Sequence, residues 1–111
     1  MSELLEICYQ AIDKKLGDDI TILDFHNHSP YIDYFLIATA ANYRMAGSII
    51  DEVEAAALKA GYQIKRVNKG DDTSKWLLID LNDIVCHIFV SKQERQKYDL
   101  EGLWADLTVE K

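Results

Sequence analysis

Three small groups of residues have types and spacings that could do chemistry. His26-x-His28, with Asp24 nearby, has the form of a metal pair at a strand exit, where both rings point the same way. A closed site needs three or four ligands, and the window supplies no others, so the plain reading is a pair of surface-loop histidines. Ser29, His28 and Asp33 have the residue types of a hydrolase set, but no nucleophile elbow or oxyanion-hole glycine loop accompanies them. Asp80 and Asp83 lie across a turn, where Asp is favoured for its backbone hydrogen bonding. Neither G-x-G-x-x-G nor G-x-x-x-x-G-K occurs, so nucleotide handling lacks its usual cradle. Two-metal phosphoryl transfer would want Asp-x-Asp on a strand, where the chain reads Asp33-Tyr34-Phe35. The residues alone therefore predict no catalytic residue, no metal and no cofactor.

The chain that must position any site has 111 residues, with 12 Lys and Arg against 19 Asp and Glu, a net charge of −7. That length fits one domain with a single core and needs no disulfide or metal staple. Apolar residues make up 49%, and there are one proline and five glycines, which excludes disordered, collagen-like and proline-rich classes. The acidic balance argues against binding by phosphate neutralisation and favours a basic protein partner. Cys8 and Cys86 both sit inside apolar runs and read as buried thiols of a reducing compartment. The opening Met-Ser-Glu-Leu-Leu-Glu lacks signal-peptide blocks, and no apolar stretch reaches membrane length, so a soluble cytoplasmic protein is expected.

Leu4, Leu5, Cys8, Ala11, Ile12 and Leu16 form one helical stripe between Ser2 and Gly17. Ile20 to Phe25 reads as a strand broken by Asn27-His28-Ser29-Pro30. The nearly all-apolar Tyr34 to Thr39 reads as a central strand covered on both faces by helices. Asn42 is a competent N-cap, and Ala46, Ile49, Ile50, Val53, Ala57 and Ala60 carry a stripe to Gly61. Tyr62 to Val67, Trp76 to Leu81 and Ile84 to Val90 read as strands, the last two joined at Asn82-Asp83. Ser91-x-x-Glu94 has the form of a capping box, with Leu100, Leu103, Trp104 and Leu107 stepping helically beyond it. The order α-β-β-α-β-β-β-α predicts a single α/β (α+β) domain over 1–111, with a mixed sheet of about five strands against helices.

Pairing across Asn82-Asp83 places 80 opposite 85, 78 opposite 87 and 76 opposite 89. One face then carries Leu77, Ile79, Leu81, Ile84, Cys86, Ile88 and Val90 and must be core. The other carries Trp76, Leu78, Asp80, Val85, His87 and Phe89. It is either covered by the amphipathic tail or left as a rimmed apolar patch of the kind that marks partner sites. Asp99, Glu101, Asp106 and Glu110 make the tail acidic, with no Lys or Arg from 98 to 110, and would give such a patch a rim for a basic partner. Lys65, Arg66, Lys69 and Lys75 could touch a phosphate backbone, but without stacking aromatics.

Three ordered blocks resemble a known family. They are Ser29-x-x-x-Asp33-Tyr34-Phe35-Leu36-Ile37-Ala38-Thr39 with Arg44, then Trp76-x-Leu78-x-Asp80-x-x-Asp83-x-Val85-x-His87-x-Phe89, then Arg95-x-x-Tyr98-x-Leu100-Glu101-x-Leu103-Trp104-x-Asp106. Together they resemble the ribosomal silencing factor (RsfS, Iojap-like) family over nearly the whole chain. Ala40, Asn42 and Asn82 depart from that pattern. Asn42 keeps N-cap chemistry and Asn82 tolerates positive φ, so both preserve the backbone logic.

The resemblance implies a nucleotidyltransferase-like topology without the catalytic carboxylates. It also implies a role, in which the protein binds ribosomal protein fourteen of the large subunit, blocks joining of the small subunit and so represses translation. A homodimer in the free state, and no DNA or membrane partner, go with it; a magnesium-dependent nucleotidyltransferase-like enzyme is the alternative. Combined with the hairpin face and the acidic tail, the expected contact residues are Trp76, Leu78, Asp80, His87, Phe89, Tyr98, Glu101, Leu103 and Trp104. As an interface anchor, Trp76 cut to Ala should leave the melting midpoint nearly unchanged, whereas Ile88→Ala on the opposite face should cost stability.

Overall fold

The computed structural model describes residues 3–109. Ser2, at the head of the first apolar stripe, and Glu110, the last of the acidic tail, lie outside them. Helix α1 (Glu3–Lys14) buries Leu4, Leu5, Cys8, Ala11 and Ile12. It ends in a Schellman turn, with Gly17 N–H donating to the Ile12 carbonyl (2.9 Å) and Leu16 N–H to that of Asp13 (3.1 Å). Leu16, not Gly17, takes the left-handed conformation (φ 65°). Gly17 is needed for space, because a Cβ there would sit 2.3 Å from Ile12 Cγ2.

Strand β1 (Asp18–Asp24) follows, and β2 (Tyr34–Ala40) returns antiparallel to it. Helix α2 (Tyr43–Lys59) starts where Asn42 Oδ1 accepts from Met45 N–H (2.8 Å) and stops at Gly61 (φ 93°), whose left-handed geometry suits glycine. Strand β3 is only Arg66–Asn68, shorter than the Tyr62–Val67 run expected. The Tyr62 N–H closes the end of α2 on the Ala57 carbonyl (3.0 Å), so the chain cannot pair with the sheet until Lys65 N–H reaches Asp80 O. Strands β4 (Trp76–Asp80) and β5 (Ile84–Val90) form the hairpin in the expected register, with Asn82 at φ 78°. The Asp80 carboxylate accepts from Asn82 N–H (2.8 Å) and fixes the turn.

The tail departs from a continuous helix. Helix α3 (Lys92–Tyr98) has half a capping box. Ser91 Oγ accepts from Glu94 N–H, but the Ser91 N–H itself goes to the Ala40 carbonyl (3.1 Å). Asp99 then turns left-handed (φ 47°), capping the end of α3 and the start of a one-turn helix α4 (Leu100–Leu103). A 3-10 turn (Ala105–Leu107) leads to strand β6 (Thr108–Val109), which pairs with β1. The sheet order is β3-β4-β5-β2-β1-β6, six strands rather than about five among the described residues. Only the central pair β2–β5 is parallel.

Helices α1 and α2 cover one sheet face, where the main core gathers Leu36, Ala38, Leu77, Ile79, Cys86 and Ile88 beneath them. Cys8 and Cys86 meet there, and the hydrogen bond with Cys8 together with burial pushes the Cys86 thiol up, so it stays protonated. The opposite face of β2 is not under a helix layer. A smaller cluster of Leu23, Phe25, Ile37, Phe89 and Leu107 covers it, with Trp76, Phe35 and Leu100 at its margin. No described helix is long and apolar enough to cross a membrane.

Candidate functional site

Period-2 alternation puts Trp76, His87 and Phe89 on the sheet face away from α1 and α2, and the tail brings further rings to it. The result is a connected line of aromatics. Tyr98 lies 4.8 Å from Trp76 between ring centroids, Trp76 5.0 Å from Phe89 and 5.7 Å from His87. His87 stands edge-on to Phe35 at 4.5 Å, Phe35 lies 4.6 Å from Phe25, and Phe25 meets Trp104 edge-on at 5.1 Å. Tilted and edge-on arrangements at these separations are favourable beyond area burial alone.

Its outer members are open to solvent. Leu103 is 70% exposed, Tyr98 47% and Trp104 39%, three large apolar groups within seven residues of chain, with Tyr98 and Trp104 at the two ends of the ring line. Phe89 is fully buried and His87 only 6% exposed, so these two support the face from beneath and present no surface of their own. Leu78 and Asp80 are half-buried, and the Asp80 carboxylate is engaged in the hairpin turn.

Trp76 needs a correction. It is half-buried, its indole Nε1–H donates to His87 Nδ1 (3.1 Å), and it stacks on Phe89 and Tyr98. An indole built into a cluster in this way cannot be removed without loss of stability, contrary to the unchanged melting midpoint expected for a free-standing anchor. The tail covers part of the face and leaves part open, which combines the two alternatives read from the hairpin.

Because His87 Nδ1 accepts, its proton in the neutral ring is on Nε2, a buried atom with no hydrogen-bond partner among the described residues. Burial pushes the His87 pKa down to about 4, against a smaller upward pull from Asp80. The ring is neutral at physiological pH.

The acidic rim is partly occupied by the protein itself. Asp99 Oδ1 accepts from Gly102 N–H (3.1 Å), and Glu101 Oε1 accepts from Arg95 Nε (2.9 Å). Asp106 is exposed. In the sequence Arg95 stands out only as the first residue of the third motif block. Its burial had no signal in hydropathy, because a guanidinium under the tail reads as one more helix-surface charge.

The other candidate groups do not converge. His26 Nδ1 is 3.8 Å from Asp33 Oδ1, His28 is exposed, and Ser29 Oγ accepts from the backbone of Tyr31 and Ile32. Among the described residues no three His, Cys, Asp or Glu side chains are grouped to hold a metal ion. Lys69 pairs with Asp51 (2.7 Å), whereas Lys65, Arg66 and Lys75 are exposed along the β3 edge.

Similarity to known proteins covers this whole arrangement. The family model described as "ribosomal silencing factor during starvation" matches residues 1–111. A protein named ribosomal silencing factor RsfS in Bacillus subtilis (strain 168) is 39% identical over 103 residues, 93% of this chain and 86% of the relative. Its namesake in Halalkalibacterium halodurans is 38% identical, over 97% of this chain and 92% of the relative. Crystal structures of proteins from Bacillus halodurans (37% identity, TM-score 0.82, 98% of each chain) and Chromobacterium violaceum (26%, 0.85, 95% and 88%) share the fold. The match runs through the strands, the hairpin and the tail that build the aromatic face, and on it the chain belongs to the ribosomal silencing factor (RsfS) family.

Proposed function

We propose that the protein represses translation by binding ribosomal protein fourteen of the large subunit through its aromatic face and so standing in the way of the small subunit. It acts in the cytoplasm as a steric factor without turnover. The observation that carries this reading is the exposed set Leu103, Trp104 and Tyr98, the last two at the ends of a connected line of rings, in a protein of charge −7. Apolar anchors at the centre of a contact supply affinity, and the negative field steers a basic partner. In the free protein the same exposed side chains are open to a second copy of the chain, which would compete with the ribosome.

Co-sedimentation with purified large subunits, with and without ATP and magnesium, tests it. The unchanged protein should bind equally in both conditions. Leu103→Ala and Trp104→Ala should each lose ~2 kcal/mol or more, about thirtyfold in affinity. Unchanged binding by both variants would refute the face, and binding that needs ATP and magnesium would favour the nucleotidyltransferase-like alternative.

A further inference from the structure

Arg95 is the one charged side chain buried among the described residues, only 4% exposed. A guanidinium taken out of water is costly unless its donors are met, and a small core has no need of one for packing. Its donors are met by three different elements. Nε donates to Glu101 of α4 (2.9 Å), Nη1 to Thr39 Oγ1 of β2 (3.0 Å) and Nη2 to Thr21 Oγ1 of β1 (2.9 Å), with Asp19 Oδ2 at 3.9 Å from Nη1.

The place of this junction is informative. Thr21 and Thr39 stand two residues from Leu23 and Ile37 on their strands, and Thr39 pairs with Phe89, so both threonines lie on the sheet face that carries the rings. The guanidinium rests on that face at the point where the chain turns from α3 into α4. Helix α4 is four residues long and has no buried residue. A single turn does not hold itself in water, and only Leu100, at the margin of the smaller cluster, gives this one partial burial. Yet it ends in Leu103, and Trp104 follows directly. Its near end is capped by Asp99 and packed through Leu100, and Glu101 on Arg95 is the side-chain contact that ties it to the buried guanidinium.

We infer that Arg95 is a positioning residue, a fork anchored on Thr21 and Thr39 that grips Glu101 and thereby presents Leu103 and Trp104 to the partner. This inference rests on the proposed use of the aromatic face. Arg suits the task where Lys does not, because its planar fork spreads donors over three nitrogens that face three separate acceptors, whereas the donors of an ammonium radiate from one atom on a flexible stem.

The test uses the full chain and two variants with two readouts. Arg95→Lys keeps the charge and loses the fork. The double variant Thr21→Val with Thr39→Val removes the anchors from beneath and touches nothing on the outer surface. In both, amide exchange at Gly102, Leu103 and Leu107 should speed up by about tenfold or more, while Ile37 and Ile88 in the central strands keep their protection. Affinity for large subunits should fall by about tenfold or more in the same variants. Three results would overturn the inference alone: unchanged exchange in the tail, faster tail exchange with unchanged affinity, or equal acceleration in tail and central strands, which marks a purely structural role. Failure of the unchanged protein to bind large subunits would instead defeat the reading of the face, and the inference would fall with it.

Discussion

Lowering the pH should destabilise this protein through one ring, His87. Its folded-state pKa of about 4 lies below the ~6.5 of an unfolded chain, because the ring is buried and its Nδ1 is occupied by the Trp76 indole N–H. An imidazolium has donors on both nitrogens, so protonation would set its Nδ1–H against the Trp76 indole N–H inside a buried cluster. The unfolded state binds the proton first. His87 therefore contributes its full stabilisation above about pH 6.5, loses it as the pH falls toward 4, and loses no more below that. That difference in pKa corresponds to roughly 3 kcal/mol in total, of which about 2 kcal/mol is gone by pH 5. That is a large share of the ~5–15 kcal/mol expected of a small domain.

Urea unfolding at pH 7.5 and pH 5, for wild type and His87→Gln, measures the effect. Gln does not titrate and keeps an acceptor for the indole. With a denaturant slope of ~1–3 kcal/mol per molar, the wild-type midpoint should fall by about 1 M more than that of the variant. His26 and His28 are exposed and common to both proteins, as are the carboxylates, so their contributions cancel in the difference. Equal losses in wild type and His87→Gln would show that the ring titrates as if in water, and the reasoning from burial would be refuted.

Trp76→Ala should lower stability by about 3 kcal/mol, through lost ring contacts and an unpaired Nδ1 on buried His87, whereas Leu103→Ala should change it by under about 0.5 kcal/mol. Thermal melts of the two variants beside Ile88→Ala check this, and a Trp76→Ala protein as stable as wild type would show that the indole is not built into the face. Binding to large subunits should weaken with added salt along a shallow slope, because Glu101 is already neutralised by Arg95 and Asp99 is used as a cap. Titration from low to high salt reads the slope, and an affinity indifferent to salt would remove electrostatics from recognition.

The hairpin was legible because its determinants are local. Asn82-Asp83 forms the turn, and strict alternation from Trp76 to Val90 assigns both faces without any knowledge of the rest. Helix α2 was legible from its ends, Asn42 and Gly61. The tail was not, since Leu100, Leu103, Trp104 and Leu107 fit a continuous helix as well as they fit a broken one. The choice is made at Asp99, whose left-handed backbone is stabilised by its carboxylate on Gly102 N–H, and a Cβ at Gly102 would lie 2.2 Å from that carboxylate and displace the cap. How far the aromatic face is covered follows from that one corner, so Trp76 could be placed on a face but not given its exposure. Strand β6 and buried Arg95 both depend on contacts with Ile22, Thr21 and Thr39, far away in the chain, which no local pattern encodes.

The parallel pair at the centre of the sheet sets when the molecule can exist during synthesis. Every residue of β2 finds its partner 50 positions later, Tyr34 with Ile84 and Ala40 with Val90. Closing a loop of that size precedes any reward from the contacts, so this pairing is a slow, late step. Helix α1, β1 and α2 can form local structure as the chain grows, but the ring line from Phe25 to Trp104 draws on β2, β5 and the tail together. A nascent chain that stops short of Leu107 has no completed aromatic face. If the face binds the ribosome as proposed, the ribosome making this protein is shielded from it until the last elements have emerged, and capacity to bind arrives with completion of the fold.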